Sequence, residues 1–167
     1  MKILLKGVDG ILNKQSKGTT REENKLTYYP PAKINKKWQD INILLLAYLG
    51  DGVYELWVRQ HLIEQGLAKV DEIHKKTINY VQAKTQAAIL KELMADLDET
   101  ETSVVLRGRN AKGHYPRNVS VVTYRHATAF EALVGYWYLT GNLERMNDIF
   151  SRIDDILGKL PAGNIDS

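Results

Sequence analysis

The chain has 167 residues, 44% of them hydrophobic and 26% charged, which fits one globular domain with a modest tail. It contains no cysteine, so a disulfide framework, a thiolate metal site and a cysteine nucleophile are excluded, and a reducing compartment suits it. No apolar run approaches the ~20 residues of a membrane-spanning helix, and Met1-Lys2-Ile3-Leu4-Leu5-Lys6 meets charge too early for a signal-peptide core. No membrane partner is therefore expected.

The net charge of +3 is unevenly placed. Residues 1–40 carry nine Lys/Arg against four Asp/Glu, whereas residues 41–158 carry thirteen against fifteen. Residues 1–38 are rich in Lys, Asn, Thr and Gly, hold Pro30-Pro31 and show no sustained period. They read as a flexible basic tail, with a basic arm adding non-specific RNA affinity and a mis-assigned start as the other readings. The composition lacks the Ser/Arg bias of a plastid transit peptide, so the cytoplasm is expected ahead of a plastid. Residues 39–158 form the expected folded domain and 159–167 a short C-terminal tail.

From Asp40 the pattern is helical. Ile41, Leu44, Leu45, Tyr48, Leu49, Val53, Leu56, Trp57 and Leu62 recur at three and four, and Gly66 sits where such a helix would stop. A rival reading stands here, because the apolar runs 43–49 and 53–58 flank Gly50-Asp51-Gly52 as in a hairpin. Asp71 then caps a short turn through His74, and Ile78, Val81, Ala88 and Leu93 predict a helix over about 77–97. Asp98 with Glu101 forms a candidate capping box for a helix through Val104, Val105 and Arg109. Gly113-His114-Tyr115-Pro116-Arg117-Asn118 reads as a loop. Helix resumes near Ser120 and runs to about Leu139, with Gly141 at its C-terminal stop. A last helix runs from Leu143 to Leu157, closed by Gly158. The expected fold class is all-α.

Two carboxylates are out of place. Asp51 lies in an apolar segment between glycines, and Glu131 lies within Ala127-Thr128-Ala129-Phe130-Glu131-Ala132-Leu133. A lone carboxylate is costly to desolvate, so such groups are usually paired, hydrogen-bonded or metal-bound. Taken singly, Asp51 reads as a turn residue and Glu131 as a solvated or Arg-paired one. Taken together they suit magnesium (Mg2+), which prefers oxygen ligands, keeps several waters and is often held by one or two carboxylates. The small residues Gly50, Gly52, Ala127 and Ala132 would let the helices approach and bring the acids together. Between Glu101 and Glu131 there is no acid, yet Arg107, Arg109, Lys112, Arg117 and Arg125 fall there, with His114 among them. This is a candidate RNA cradle centred on the 113–118 loop. His61, His74, His114 and His126 lack zinc-site spacing and read as solvated or capping, and His74-Lys75-Lys76 reads as a solvated face that could also touch phosphate.

Tyr48-Leu49-Gly50-Asp51 resembles the end of the ribonuclease III signature, and Phe130-Glu131-Ala132-Leu133-Val134-Gly135 resembles that family's second acidic helix. The Mini-III ribonuclease branch is nearer, through Ala47-Tyr48-Leu49-Gly50-Asp51, His74-Lys75-Lys76, Ala83-Lys84-Thr85-Gln86-Ala87, Arg107-Gly108-Arg109-Asn110-Ala111-Lys112 and Tyr124-Arg125-His126-Ala127-Thr128-Ala129-Phe130-Glu131-Ala132-Leu133, in order over about residues 39–157. Larger ribonuclease III enzymes carry further acids where this chain has Leu44, Ala47 and Thr128, and an appended double-stranded-RNA-binding domain. The resemblance implies the ribonuclease III endonuclease fold, with the 43–58 segment helical, and a homodimer whose two sites cut double-stranded RNA. It also implies Mg2+ dependence, 5′-phosphate and 3′-hydroxyl products, and maturation of precursor 23S ribosomal RNA. On this reading Asp51 and Glu131 are the catalytic and metal residues. Lys75, Lys76, Lys84, Arg107, Arg109, Lys112, His114, Arg117 and Arg125 are the RNA contacts, and DNA is not an expected partner. A non-catalytic RNA-binding or ribosome-associated protein of the same fold is the alternative.

Overall fold

A computed structural model describes residues 35–112 and 119–159. The chain divides into two units, residues 1–30 and 31–167. The first unit, most of the predicted tail and the loop 113–118 with His114 and Arg117 lie outside the described residues.

Among the described residues the chain is helical and contains no strand. A single 3-10 turn at Trp38–Asp40 precedes α1 (Ile43–Glu64), α2 (Val70–Val81), α3 (Ala83–Leu93), a second 3-10 turn at Met94–Asp96, α4 (Glu99–Arg109), α5 (Val121–Thr140), α6 (Leu143–Ser151) and α7 (Ile153–Lys159). None of these helices is long and apolar enough to cross a membrane.

The hairpin alternative for residues 43–58 is wrong, because α1 runs unbroken through Gly50-Asp51-Gly52. Glycine inside a helix costs about 1 kcal/mol against alanine, and packing explains why Gly50 is there. A Cβ at Gly50 would collide with the Glu131 carbonyl oxygen of α5 and lie 2.6 Å from the Gly135 nitrogen. One at Gly135 would collide with the Leu46 carbonyl oxygen and lie 3.2 Å from the Gly50 nitrogen. The two backbones thus meet directly. Gly108 makes a third close crossing, where a Cβ would lie 2.8 Å from the Ala129 Cα and 3.3 Å from the Ala132 Cβ. Gly52 was expected to serve the same purpose and does not, since a side chain there would meet nothing.

Helix α5 is the central element, contacted by α1, α3 and α4. Ala127, Thr128, Ala129, Phe130, Ala132, Leu133, Val134, Gly135 and Trp137 are all buried, as befits a helix apolar around most of its circumference. Tyr54 of α1 sets its ring edge-on to Phe130 at 5.0 Å and also meets Phe150 at 5.7 Å.

The helix ends follow local chemistry. Asn42 caps α1 by accepting the Leu44 N–H at 3.0 Å, and Ser120 accepts the Thr123 N–H at 3.0 Å. The capping box is present, with Asp98 and Glu101 each accepting the other's backbone N–H. Gly141 ends α5 in the left-handed conformation at φ 74°, where a side chain would be strained.

Two expectations about length need correction. The segment predicted as a turn plus one helix over 77–97 is instead α2 and α3, separated at Gln82. There the Thr85 hydroxyl donates to the Asn79 carbonyl at 2.7 Å, and the Gln82 carbonyl restarts the ladder by accepting from Thr85 and Gln86. The predicted 143–157 helix likewise breaks at Arg152 into α6 and α7. The Arg152 side chain reaches Asp96 at 2.6 Å.

Candidate active site

Asp51 follows Gly50 on α1, and Glu131 lies on α5 at the point where Gly50 touches that helix. The close crossing brings the two stranded acids near enough that the charge of Asp51 acts on Glu131. Asp51 is exposed and Glu131 half-buried.

Their titration reflects that arrangement. Burial is the main cause that pushes Glu131 up to about 7, the negative charge of Asp51 adds to it, and the nearby amide of the Gln86 side chain works the other way. Asp51 is also raised, first by partial burial of its carboxyl and then by Glu55 one turn on. Glu55 itself pairs with Arg59 at 2.7 Å. No lysine or arginine among the described residues neutralises Glu131. Among the described residues, then, Glu131 is neither paired with an arginine nor fully solvated.

Two half-repelled carboxylates offering only oxygen are a donor set that suits a hard divalent cation with water completing its shell. Among the described residues no group of three or more His, Asp or Glu is placed to hold a metal, so within them an ion here would rest on this pair. The buried amide nitrogen of Gln86 behind Glu131, without a well-formed hydrogen bond of its own, is a further sign of a polar site. The residues present fit the group.

The expected RNA contacts separate into three sets. Lys75 and Lys76 are exposed on α2, in its second turn rather than at its start. Arg109 and Lys112 are exposed at and beyond the end of α4, and Arg125 is exposed near the start of α5. Lys84 is half-buried in the first turn of α3, two residues before Gln86. Arg107 is turned inward instead. It donates to the carbonyls of Gln39 at 3.2 Å and Ile41 at 3.1 Å, and its guanidinium lies 5.5 Å from the centre of the Trp38 ring. These contacts pin the chain where it enters α1.

His61 is not solvated, contrary to the expectation from its spacing. It bonds Asp154 at 2.8 Å and stacks on Trp57 at 4.8 Å. Tyr80 donates to the same Asp154 carboxylate at 2.7 Å and Gln65 at 2.9 Å, tying α1 and α2 to α7. His126 bonds the Val122 carbonyl one turn back at 2.7 Å.

Sequence reasoning misses Gln86 as a functional residue, although Gln86 lies inside the Ala83–Ala87 motif. The one signal is positional. Gln86 falls on the stripe Gln82, Gln86, Ile89, Leu90, Leu93, where a buried helix face would ordinarily be apolar.

An all-helical domain with paired acids on two touching helices can be set beside known proteins. Residues 44–142 match the ribonuclease III domain family. Over 128 residues the chain is 56% identical to a Mini-ribonuclease 3 of Desulfitobacterium hafniense, covering 77% of this chain and 82% of that one. It is 49% identical over 115 residues to a Mini-ribonuclease 3 of Symbiobacterium thermophilum, covering 68% and 88% respectively. Among solved structures, a protein of Fusobacterium nucleatum superposes with a TM-score of 0.66 at 33% identity, covering 71% of this chain and 97% of its own. The chain belongs to the Mini-ribonuclease 3 branch of the ribonuclease III family. It is an endoribonuclease, and its substrate is RNA.

Proposed function

We propose that this chain is a Mg2+-dependent homodimer that cuts double-stranded RNA at Asp51 and Glu131. The observation that carries the reading is the meeting of these two acids, uncompensated by any cation among the described residues, at the Gly50–Gly135 crossing. When bound, magnesium supplies activation of water and offsets negative charge on the phosphate oxygens. Asp51, at the exposed side, and Glu131, held deeper on α5, would hold it. The exposed Lys75, Lys76, Arg109, Lys112 and Arg125 offer cations to the phosphodiester backbone. An A-form duplex is recognised chiefly through its backbone, shape and 2′-hydroxyls. Water attacks phosphorus, the bond to the 3′ oxygen breaks, and the products carry 5′-phosphate and 3′-hydroxyl ends.

Support for the homodimer comes from the outer face of α1. Leu45, Tyr48, Leu56 and Ile63 are 61%, 83%, 49% and 58% exposed and fall on one stripe of the helix, with the open Gly52 between them. Exposed large apolar side chains grouped in this way mark an interaction site, and a second copy bearing the same stripe meets it about a two-fold axis. Precursor 23S ribosomal RNA is the proposed substrate and the cytoplasm the proposed setting, both following from the Mini-ribonuclease 3 branch.

The test is cleavage of a long duplex RNA with and without magnesium, with both product ends mapped. Asp51→Asn and Glu131→Gln should each abolish cleavage, as expected when a metal-ion site is lost, while duplex binding and the dimer persist. Wild-type turnover in either variant would move the chemistry elsewhere.

A further inference from the structure

Helix α3 contributes no acid to the site, yet it sends one side chain there. Gln86 is 1% exposed, on a helix that packs against α5, and its carboxamide lies within hydrogen-bonding reach of the Glu131 carboxylate. Its Nε2 is buried and makes no hydrogen bond of good geometry to any group, Glu131 included. An amide has two N–H donors, and leaving them poorly satisfied in a core costs stability. An apolar residue of equal size would ordinarily be better there. A buried, costly amide directed at one of two acids is explained by service to that acid.

We propose that Gln86 is a positioning residue of the active site, whose unpartnered side-chain N–H donors take up the Glu131 carboxylate when it ionises and turns toward Asp51 to hold the ion. The break at Gln82 makes this possible. Were residues 77–93 one straight helix, as the sequence pattern suggests, Gln86 would not arrive at α5 as it does. The bond from the Thr85 hydroxyl to the Asn79 carbonyl at 2.7 Å fixes the turn immediately before it. Gln86 touches neither the ion nor the RNA in this scheme and acts through Glu131. Partners that orient a metal ligand typically change metal affinity or activity by 10- to 100-fold when removed.

The inference rests on the reading of Asp51 and Glu131 as the ion-holding pair, and the experiment separates the two. Gln86→Met keeps the volume and removes the donors. Manganese, used as a spectroscopic probe, is titrated into the wild type, Gln86→Met, Asp51→Asn and Glu131→Gln, with binding followed by electron paramagnetic resonance. Cleavage and thermal melting are measured alongside. Gln86→Met should bind manganese about 10-fold more weakly, with kcat reduced at limiting metal and recovered at high metal. Its KM for RNA should change less than twofold, and the metal-free protein should melt at the wild-type temperature or above. A lower melting temperature with unchanged manganese affinity would make Gln86 merely structural and overturn the proposal. Wild-type manganese binding by both Asp51→Asn and Glu131→Gln would instead defeat the underlying pair. If Gln86→Met does not fold, Gln86→Ala is judged by the same manganese titration.

Discussion

Glu131 is the residue on which the pH response turns. Its folded-state pKa of about 7 lies above the ordinary glutamate value of 4.5, so the metal-free fold favours the protonated acid. The stability linked to this group is therefore fully present below pH 4.5 and lost as pH rises toward 7. Metal-free wild type should show a melting temperature that declines between about pH 5 and about pH 7 relative to Glu131→Gln, which lacks the titration. A parallel pH dependence in both proteins would remove Glu131 as the source. Magnesium needs the ionised form, so its binding near neutral pH should release a proton. Asp51 and Glu131 are legible in the sequence because each is an acid stranded in an apolar run. Gln86 is not, since an uncharged amide on a helix face looks like an ordinary half-solvated residue until the fold shows what it faces. Arg107 is legible as a cation but not as a clamp, because its partners are backbone carbonyls and a ring 66 to 69 positions away in the chain.

Among the elements, α4, α5 and α6 are joined by one buried acid. Glu101 is 2% exposed and accepts the Trp137 indole N–H at 2.7 Å and the Arg145 guanidinium at 3.0 Å and 3.1 Å. Burial alone would raise its pKa, but the bonds from Arg145, the Asp98 backbone and Trp137 together outweigh it and lower the value. A lowered acid stabilises the fold above its ordinary range and loses that contribution as pH falls through it. Glu101→Gln should cost about 2 kcal/mol at neutral pH, in line with loss of bonds to a charged group, and the difference should shrink below about pH 4. Urea denaturation at both pH values measures this; a gap that stays constant would contradict it. The capping role of Glu101 can be read from Asp98 three residues earlier. Its reach to Trp137 and Arg145 cannot, because nothing local in the sequence reports contacts 36 and 44 residues away. The breaks at Gln82 and Arg152 are hidden for a related reason. Both lack proline or glycine, and hydrogen bonds to Asn79 and Asp96 accompany them.

For the molecule as a whole, one helix serves two purposes: α1 gives its inner face to Gly135 and Glu131 and its outer face to the apolar stripe. Placing a charge on the outer face tests the dimer. Tyr48→Asp or Leu56→Glu should convert the dimer to monomer in sedimentation velocity at micromolar concentration while the helical circular dichroism is kept. A monomeric wild type, or a variant as dimeric as the wild type, would place the contact elsewhere. The all-helical class is readable from the spacing of apolar residues, whereas the arrangement of helices around α5 is not, because close approach depends on which glycines touch backbone. Gly50 and Gly52 are neighbours of the same type on one helix, and only the first is in contact.

That contact has a consequence for how the protein meets its ion. Because main-chain atoms of α1 and α5 abut at Gly50 and Glu131, the separation between the backbones that carry the two acids is a matter of scaffold, and only the side-chain rotamers are left to settle around an ion. Loading of the proposed magnesium ion would then demand little movement of the helices. The heat of that step should reflect water shed by the ion and protons given up, not helices changing place.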